Sequence, residues 1–317
     1  MENKSMVDLK AIERLEVVTL IDNYIDVLIS SSQNVKRSPH YKDGKIAPPL
    51  IAEHGLSLLV RVFENGKPHS FLLDAGWSAT GVLHNLKELE INTNEIEAVI
   101  LSHGHMDHHG ALKGILKLID KPIPVIVHPD VFLKKRFLLL PEDRKILFPI
   151  LDEKKLKEAG ARIIKSKEAS FLAQNLILVT GEIERTTPFE KGIPNAFVDK
   201  EGIIERDFIQ DDQAIIIHLR GKGLVVITGC AHSGIINTVR YAQKVTGIDP
   251  VYAVIGGFHL SGTKFEPVIS PTLQEMKRIN PFVISPMHCT GFKATMQIAK
   301  NMPHQFVLSS VGSTLLL

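Results

Sequence analysis

The sequence predicts an α/β fold. Short β-branched apolar runs alternate with amphipathic helical stretches along the chain, which is typical of layered α/β proteins. Several of the strand-like runs end in polar turns that carry histidine. The 317 residues are 44% hydrophobic and 23% charged, as in ordinary globular proteins. These observations exclude disorder as the dominant state.

The first clear elements form a hairpin. The run LSLLVRVF is followed by Asn65-Gly66 and then by SFLLDAG, and Asn-Gly supplies the positive φ angles that a tight hairpin turn needs. GVLHNLKELE then predicts a helix, and EAVILSH predicts a buried strand. HGALKGILKLI predicts a further helix with one apolar face, which consists of Leu112, Ile115, Leu116 and Ile119.

Three strands in the C-terminal third have a common arrangement. GLVVITG leads into CAHSGIINTVRYAQ, VYAVIGG into FHLSG, and FVISP into MHCTGFKATMQIAK. Each is an apolar strand followed by a turn with histidine and glycine. Open α/β sheets bind ligands beyond the carboxyl ends of their strands, so these ends and the end of EAVILSH predict one shared site.

We interpret residues 1–317 as a single domain with loop insertions near residues 31–54 and 183–212. Both segments are rich in turn-forming residues and too long for simple connections. Such segments are typical of lids or substrate-contacting loops, with solvated surface as the alternative.

The composition also limits partners and location. Thirty-seven Lys and Arg against 35 Asp and Glu give a net charge of +2, which argues against nucleic-acid binding. The longest apolar runs are far shorter than the roughly 20 residues that cross a bilayer, and the N-terminus lacks the pattern of a signal peptide. Two cysteines without a CxxC pair favour a reducing compartment. We therefore expect a cytoplasmic protein without a membrane partner, and the oligomeric state stays open.

The segment LSHGHMDHHG is the most informative. It places His103, His105, Asp107, His108 and His109 within seven positions after a strand. Imidazoles in such a loop suit zinc or iron, and the carboxylate can bind a second ion or orient water. The segment therefore predicts a metal site.

This segment resembles the central HxHxDH motif of the metallo-β-lactamase superfamily. The resemblance implies a four-layer αββα sandwich with a mono- or dinuclear metal centre at one edge, in which His103, His105, Asp107 and His108 are metal ligands. FLLDAG resembles the first motif of the family, which implies that Asp74 is a buried carboxylate bracing the metal-binding loop. An ordinary turn-forming Asp is the alternative.

The later motifs of the superfamily are less regular here. VVITGC resembles the strand that ends in a bridging aspartate, with Cys230 at that position and His232 competing for the same metal. SPMHCTG resembles the final motif, which implies that His288 is a ligand of the second metal. His259 in GGFHL is interpreted as a ligand, a general acid or base, or a substrate contact.

The third motif of the superfamily, a histidine in a GHTPG-like turn, is missing where it is expected. DDQAIIIHL stands in that place, so Asp211 or Asp212 could substitute as a metal ligand, or His232 could take the role. We include Asp212 among the candidate ligands.

A narrower resemblance covers most of the chain. EHGLSLLV, TGEIERTTPFEKG, DDQAIII, TGCAHSGIINT, GGFHL and HCTG resemble the branch that includes the archaeal 7,8-dihydropterin-6-methyl-4-(β-D-ribofuranosyl)aminobenzene 5′-phosphate synthases. This resemblance implies a transferase in which an arylamine attacks the methylene of a dihydropterin pyrophosphate while metals neutralise the departing pyrophosphate.

Three functions therefore stay open. The first is the transferase, and the second is a hydrolase in which Asp107 orients a metal-activated hydroxide. The third is a non-enzymatic metal-binding sensor. For either enzyme we expect two zinc ions, with iron or manganese as alternatives, and a phosphorylated or pyrophosphorylated small molecule as substrate. The residues predicted to contact this anionic substrate are His54, Arg185 and Lys191.

The basic residues of the first loop are a further candidate phosphate site. Their alternative is a solvated charged surface. These residues are Lys36, Arg37, Lys42 and Lys45.

Overall fold

The structure, a computed structural model, describes residues 7–317. Its strands are β1 (Ala11–Ile12), β2 (Arg14–Ile21), β3 (Val35–Lys36), β4 (Tyr41–Lys42), β5 (Lys45–Ile46), β6 (Ser57–Glu64), β7 (Lys67–Leu73), β8 (Ile96–Ile100), β9 (Ile123–Val127), β10 (Arg136–Leu139), β11 (Lys145–Leu147), β12 (Ala161–Lys165), β13 (Ser170–Leu172), β14 (Ile177–Val179), β15 (Ala196–Lys200), β16 (Ile203–Arg206), β17 (Ala214–Leu219), β18 (Gly223–Thr228), β19 (Val251–Gly257), β20 (Val283–Met287) and β21 (Thr314–Leu316). The α-helices are α1 (Ala79–Glu88), α2 (Met106–His109), α3 (Leu112–Ile119), α4 (Glu153–Glu158), α5 (Ile235–Thr246), α6 (Glu266–Ile279) and α7 (Phe292–Asn301).

Eight strands form the first sheet, in the order β12-β9-β8-β7-β6-β2-β21-β3. Strands β6 and β7 form the predicted hairpin, in which Asn65 and Gly66 have φ angles of 51° and 73°. Strands β7, β8, β9 and β12 run parallel to one another. Their carboxyl ends therefore lie at one edge of the sheet.

The second sheet has the order β13-β14-β17-β18-β19-β20, with β1 pairing in parallel with β17. Strands β18, β19 and β20 are parallel. The turns that follow these three strands carry Cys230, His259 and His288. The second sheet thus also places its reactive side chains at the carboxyl ends of parallel strands.

The two sheets pack face to face, with helices on both outer sides. The inner core includes Phe71 and Ile100 from the first sheet and Ile227 from the second. Helices α1 and α3 cover the first sheet, and α3 does so with the four apolar residues predicted from its sequence. Helices α5, α6 and α7 cover the second sheet. The predicted α/β class and its four-layer αββα architecture are therefore confirmed.

The segment 183–212 differs from its prediction as an irregular loop. It contains the hairpin β15-β16, which joins β10 and β11 in a four-stranded sheet. Buried Ala196 and Val198 alternate with more exposed neighbours, but the strands are short and flanked by proline, glycine and charged residues. That setting hides the two-residue period. The segment 31–54 contains only β3 and the small hairpin β4-β5.

Among residues 7–317, none of the helices combines the length and the apolar character that a membrane span requires.

Candidate metal centre

The HxHxDH segment lies in the turn after β8 and continues into the single helical turn α2. His103, His105, Asp107 and His108 are all buried there. Gly104 lies so close to other backbone that an added Cβ would be 2.8 Å from the Val131 carbonyl oxygen. This tight turn directs the four side chains to the edge where the two sheets meet.

Three imidazoles form the first donor group. His103 Nε2 lies 3.0 Å from His105 Nδ1 and 3.1 Å from His232 Nε2. The Ser102 hydroxyl donates to Asp74 and lies 2.9 Å from His103 Nδ1, so its oxygen accepts a hydrogen bond from the N–H group at His103 Nδ1. A neutral His103 therefore carries its lone pair on Nε2. The single lone pair on His103 Nε2 cannot accept good hydrogen bonds from both His105 Nδ1 and His232 Nε2. A cation between the three rings would instead accept a lone pair from each of these nitrogens.

The second donor group contains Asp107, His108, His288 and Cys230. Asp107 Oδ2 lies 3.2 Å from His288 Nε2 and 3.7 Å from His108 Nε2. Cys230 Sγ lies 3.1 Å from His108 Nε2. Cys230 groups with His103 and His108, and His232 groups with His103 and His105, so the two candidates share His103 as a neighbour.

Asp74 holds one member of the second donor group, His108, through a hydrogen bond. It is fully buried and accepts hydrogen bonds from the Ser102 amide nitrogen at 2.7 Å, the Ser102 hydroxyl at 2.7 Å and His108 Nδ1 at 2.6 Å. A carboxylate that holds one ring nitrogen of a histidine leaves the other nitrogen free for a metal. The position of Asp74 therefore matches the bracing role that the resemblance implies.

His288 is held in the same way by residues that the sequence analysis did not identify. Asn23 Oδ1 lies 3.1 Å from His288 Nδ1, and the Asn23 amide group donates to the His288 carbonyl. Asp22 accepts from the His288 amide nitrogen at 2.8 Å. When the ring is neutral, its Nε2 lone pair then faces the Asp107 carboxylate, an arrangement that a cation between them would stabilise.

The protonation states fit a metal in the first group. Burial lowers the pKa of His105 to about 3 and lowers the pKa values of His103 and His232 well below the usual range. These rings are therefore neutral at pH 7, which is the form that binds zinc. The donors present thus fit metal ions by chemistry, burial and orientation.

The second group should release a proton when it binds metal. Burial alone would lower the pKa of His108, but the Asp74 and Asp107 carboxylates raise it to about 9. Only the deprotonated ring nitrogen binds an ion, so the affinity of the metal-free protein should rise about tenfold per pH unit between pH 7 and 9. Calorimetric titrations with zinc in buffers of different ionisation enthalpy would measure both the affinity and the released proton.

His69→Gln is a suitable control for that titration. His69 pairs with Glu97 near the start of β7, away from the donor groups, so its replacement should leave the pH dependence unchanged. If the zinc affinity does not vary between pH 7 and 9, His108 is not a ligand that must lose a proton before it binds the ion.

Asp212 lies outside the donor groups of the described residues. Its Oδ2 accepts a hydrogen bond from the Ser233 amide nitrogen at 2.7 Å, and burial raises the pKa of Asp212 to about 6. Of the candidates for the missing third motif, His232 is the one that the structure places against His103 and His105.

Asp211 also lies outside the donor groups, but it contacts the HxHxDH turn. It accepts from the Gly104 amide nitrogen at 2.7 Å and pairs with buried Arg136, which also binds Asp207. This network ties the four-stranded sheet to the HxHxDH turn. Arg136 and Asp207 carry no motif that would identify them from the sequence.

His54 stands at the open rim of the second group. Its side chain is 60% exposed, its Nε2 lies 3.7 Å from Asp107 Oδ2, and its ring centroid lies 4.9 Å from that of His288. Asn23 Nδ2 lies 3.2 Å from His54 Nδ1, so Nδ1 accepts and Nε2 carries the proton. His54 therefore presents a donor beside the candidate metal ligands.

A pocket of about 290 Å³ opens beside His232 and His259. Its basic lining residues are Lys191, Arg206 and Lys264. Glu190 is also in the lining, but its carboxylate already accepts hydrogen bonds from the amide nitrogens of Ile236 and Asn237 and from the Thr187 hydroxyl. The pocket is therefore suited to an anion.

Arg185 lies outside this lining, and its guanidinium donates to the Phe208 carbonyl. Arg206, which the sequence analysis did not select, takes a place in the lining instead. In the segment 31–54, Arg37 donates hydrogen bonds to the Ser313 hydroxyl and the Leu308 carbonyl, and Lys42 forms an ion pair with Glu90. Two of the four basic residues of that loop are therefore bound by the protein itself.

Comparison with known proteins agrees with this geometry. Residues 52–234 match the family described as the metallo-beta-lactamase superfamily. The chain belongs to this superfamily, and the resemblance inferred from its motifs is confirmed.

Individual relatives add detail. The chain is 37% identical over 265 residues to the 7,8-dihydropterin-6-methyl-4-(beta-D-ribofuranosyl)-aminobenzene-5′-phosphate synthase of Methanocaldococcus jannaschii, across 81% of this chain and 88% of that protein. A solved structure described as a metal-dependent hydrolase of the beta-lactamase superfamily matches with a TM-score of 0.71 and 21% identity, over 96% of this chain and 98% of that one. A long-form RNase Z from yeast matches with a TM-score of 0.51 and 12% identity, over 96% of this chain and 42% of that one. These two structures share the fold.

Proposed function

We propose that the chain is a dizinc transferase that joins a dihydropterin, activated as its pyrophosphate, to a phosphorylated arylamine. The basic pocket beside His232 and His259 carries this proposal, because its charged side chains suit an anion and lie next to the candidate metal ligands. The relative in Methanocaldococcus jannaschii, named as a synthase of this type, supports it.

The pocket has features that suit both parts of such substrates. Phe189, Phe258 and Phe265 line it, and aromatic side chains pack well against flat ring systems. Lys191, Arg206 and Lys264 offer charged donors for phosphate oxygens. Of these, Arg206 is the most constrained, since it donates to the Lys191 carbonyl at 2.8 Å and lies over the Phe208 ring.

In the proposed reaction the arylamine nitrogen forms a bond to the pterin methylene carbon. The bond from that carbon to the pyrophosphate oxygen breaks, pyrophosphate leaves with the electron pair, and the amine proton passes to water at the pocket mouth. Bound metal ions would supply Lewis-acid neutralisation of the phosphate charge. His54 would donate a hydrogen bond from Nε2 to the leaving group. Asp22 and Asn23 would hold His288 in position beside Asp107.

An assay of the purified, zinc-loaded protein tests the proposal. With a dihydropterin methyl pyrophosphate and a ribofuranosylaminobenzene 5′-phosphate, we expect pyrophosphate release only when both substrates are present. Hydrolysis of bis(p-nitrophenyl) phosphate without coupling would instead favour the hydrolase. Metal binding without turnover of either kind, but with metal-dependent binding to a partner, would favour the sensor.

Variants connect this activity to the site. His105→Ala should lose both zinc and coupling activity. Arg206→Ala should raise the KM for the phosphorylated substrate about tenfold, the loss expected for one charge-assisted hydrogen bond. Lys117→Ala, which alters an exposed residue of α3, is the matched control and should change neither value. An unchanged KM in Arg206→Ala would contradict the role given to the pocket.

We also propose that the protein binds an anionic small molecule as its substrate and does not bind nucleic acid. The proposal also includes a cytoplasmic location, because Cys230 and Cys289 are both free thiols, as in proteins of reducing compartments.

A further inference from the structure

The two cysteines of the chain lie together. Cys230 follows β18 and Cys289 follows β20, and both side chains are buried. Cys230 Sγ, Cys289 Sγ and a ring nitrogen of His259 all lie within 4.8 Å of one another. Three donors from the ends of three parallel strands therefore converge on one point.

Local backbone geometry holds this convergence in place. His259 has a φ angle of 45° and His288, next to Cys289, has a φ angle of 50°. Both backbones are in the left-handed region, which residues other than glycine seldom adopt. A Cβ on Gly257 would lie 2.7 Å from Cys289 Sγ and 2.3 Å from the Gly229 carbonyl oxygen. Only glycine at position 257 leaves room for the thiol of Cys289.

One ring nitrogen of His259 has no hydrogen-bond partner among the described residues. This atom, Nδ1, is buried, and the lack of a partner is costly for a polar ring atom. Simple packing of two thiols as small apolar groups would leave that cost in place. A cation held by the ring and the two sulfurs would give the histidine a bonding role.

We infer that Cys230, Cys289 and His259 form a sulfur-rich site that binds one zinc ion beside the histidine-rich donor groups. Two thiolates and one imidazole are a known zinc-binding combination that leaves a fourth position open. Cys230, which also lies 3.1 Å from His108 Nε2, connects this site to the second donor group. His259 also lines the basic pocket, so the open position lies near the place where substrate is expected. The site goes beyond the proposed transferase activity and does not depend on it.

Cobalt substitution tests this inference without an activity readout. Thiolate ligation of Co²⁺ gives an intense near-ultraviolet charge-transfer band. In Cys289→Ser we expect the loss of about one equivalent of bound metal and of at least half of the wild-type band, because the Cys289 sulfur is removed while Cys230 remains beside His108. His259→Gln should lower the metal content in the same way while both thiols remain.

Thermal unfolding of each variant separates loss of the site from loss of the fold. Lys300→Ala, an exposed change on α7, is the control and should keep both the band and the metal content. The inference is overturned if folded Cys289→Ser keeps the full band and metal content. It is also overturned if thiol titration of the denatured wild-type protein, purified without reductant, reveals a Cys230 to Cys289 disulfide.

Discussion

Replacing Asp74 with alanine should lower the zinc affinity 10- to 100-fold, the usual effect of losing a carboxylate that orients a metal-binding histidine. The same change should reduce the free energy of unfolding of the metal-free protein by about 3 to 5 kcal/mol. The reason is that three buried donors, two from Ser102 and one from His108, share the Asp74 carboxylate. Without it these three donors lose the acceptor that they share.

Competition titrations with a zinc chelator and denaturation of the metal-free protein would measure the two effects separately. Asp74→Asn keeps the size of the side chain but turns one acceptor into a donor, so it should lie between wild type and Asp74→Ala. Asp8→Ala, at an exposed position, is the matched control. If Asp74→Ala binds zinc as tightly as the control, Asp74 does not orient His108.

Arg136→Met should destabilise the protein by about 3 to 5 kcal/mol, because it removes the cationic partner of two buried carboxylates and leaves their charges uncompensated. Arg136 is 3% exposed and binds Asp207 Oδ2 at 2.6 Å and Asp211 Oδ2 at 2.8 Å. Burial alone would raise the pKa of Asp211, but the Arg136 guanidinium lowers it. The loss of Arg136 should therefore also loosen the hydrogen bond from Gly104 and lower zinc affinity.

A triple variant distinguishes lost charge balance from lost packing. Arg136→Met combined with Asp207→Asn and Asp211→Asn leaves no uncompensated charge, so it should recover part of the stability that Arg136→Met loses. Denaturant titrations of both variants would show the difference. Arg144→Met replaces an exposed arginine near β10 and should have little effect. Equal stability of Arg136→Met and this control would disprove the structural role of the network.

Much of the fold follows from local sequence signals. The Asn-Gly turn, the apolar face of α3 and the strands before His103, Cys230, His259 and His288 are each encoded within about ten residues, and short-range patterns of this kind are readable from one sequence. The grouping of His103 with His105 was also accessible, because both belong to one motif.

The other parts of the site depend on long-range contacts. Asn23 reaches His288 from the opposite end of the chain, and Arg136 of β10 reaches Asp211 in the connection between β16 and β17. Such residues have ordinary neighbours in sequence, so no spacing indicates them. The hairpin β15-β16 was missed because its strands are short, and no sequence spacing links Cys289 to Cys230 and His259.

The division of the donors between the two sheets has a consequence for how the molecule holds together. His103, His105, Asp107 and His108 follow a strand of the first sheet, whereas Cys230, His232 and His288 follow strands of the second. An ion bound by side chains from both sheets would act as a cross-link at the rim of the sandwich, and it would stabilise the native state by a free energy that grows with the logarithm of its affinity. Chelation should then loosen this rim first, and neither half of the polypeptide alone would retain the ion.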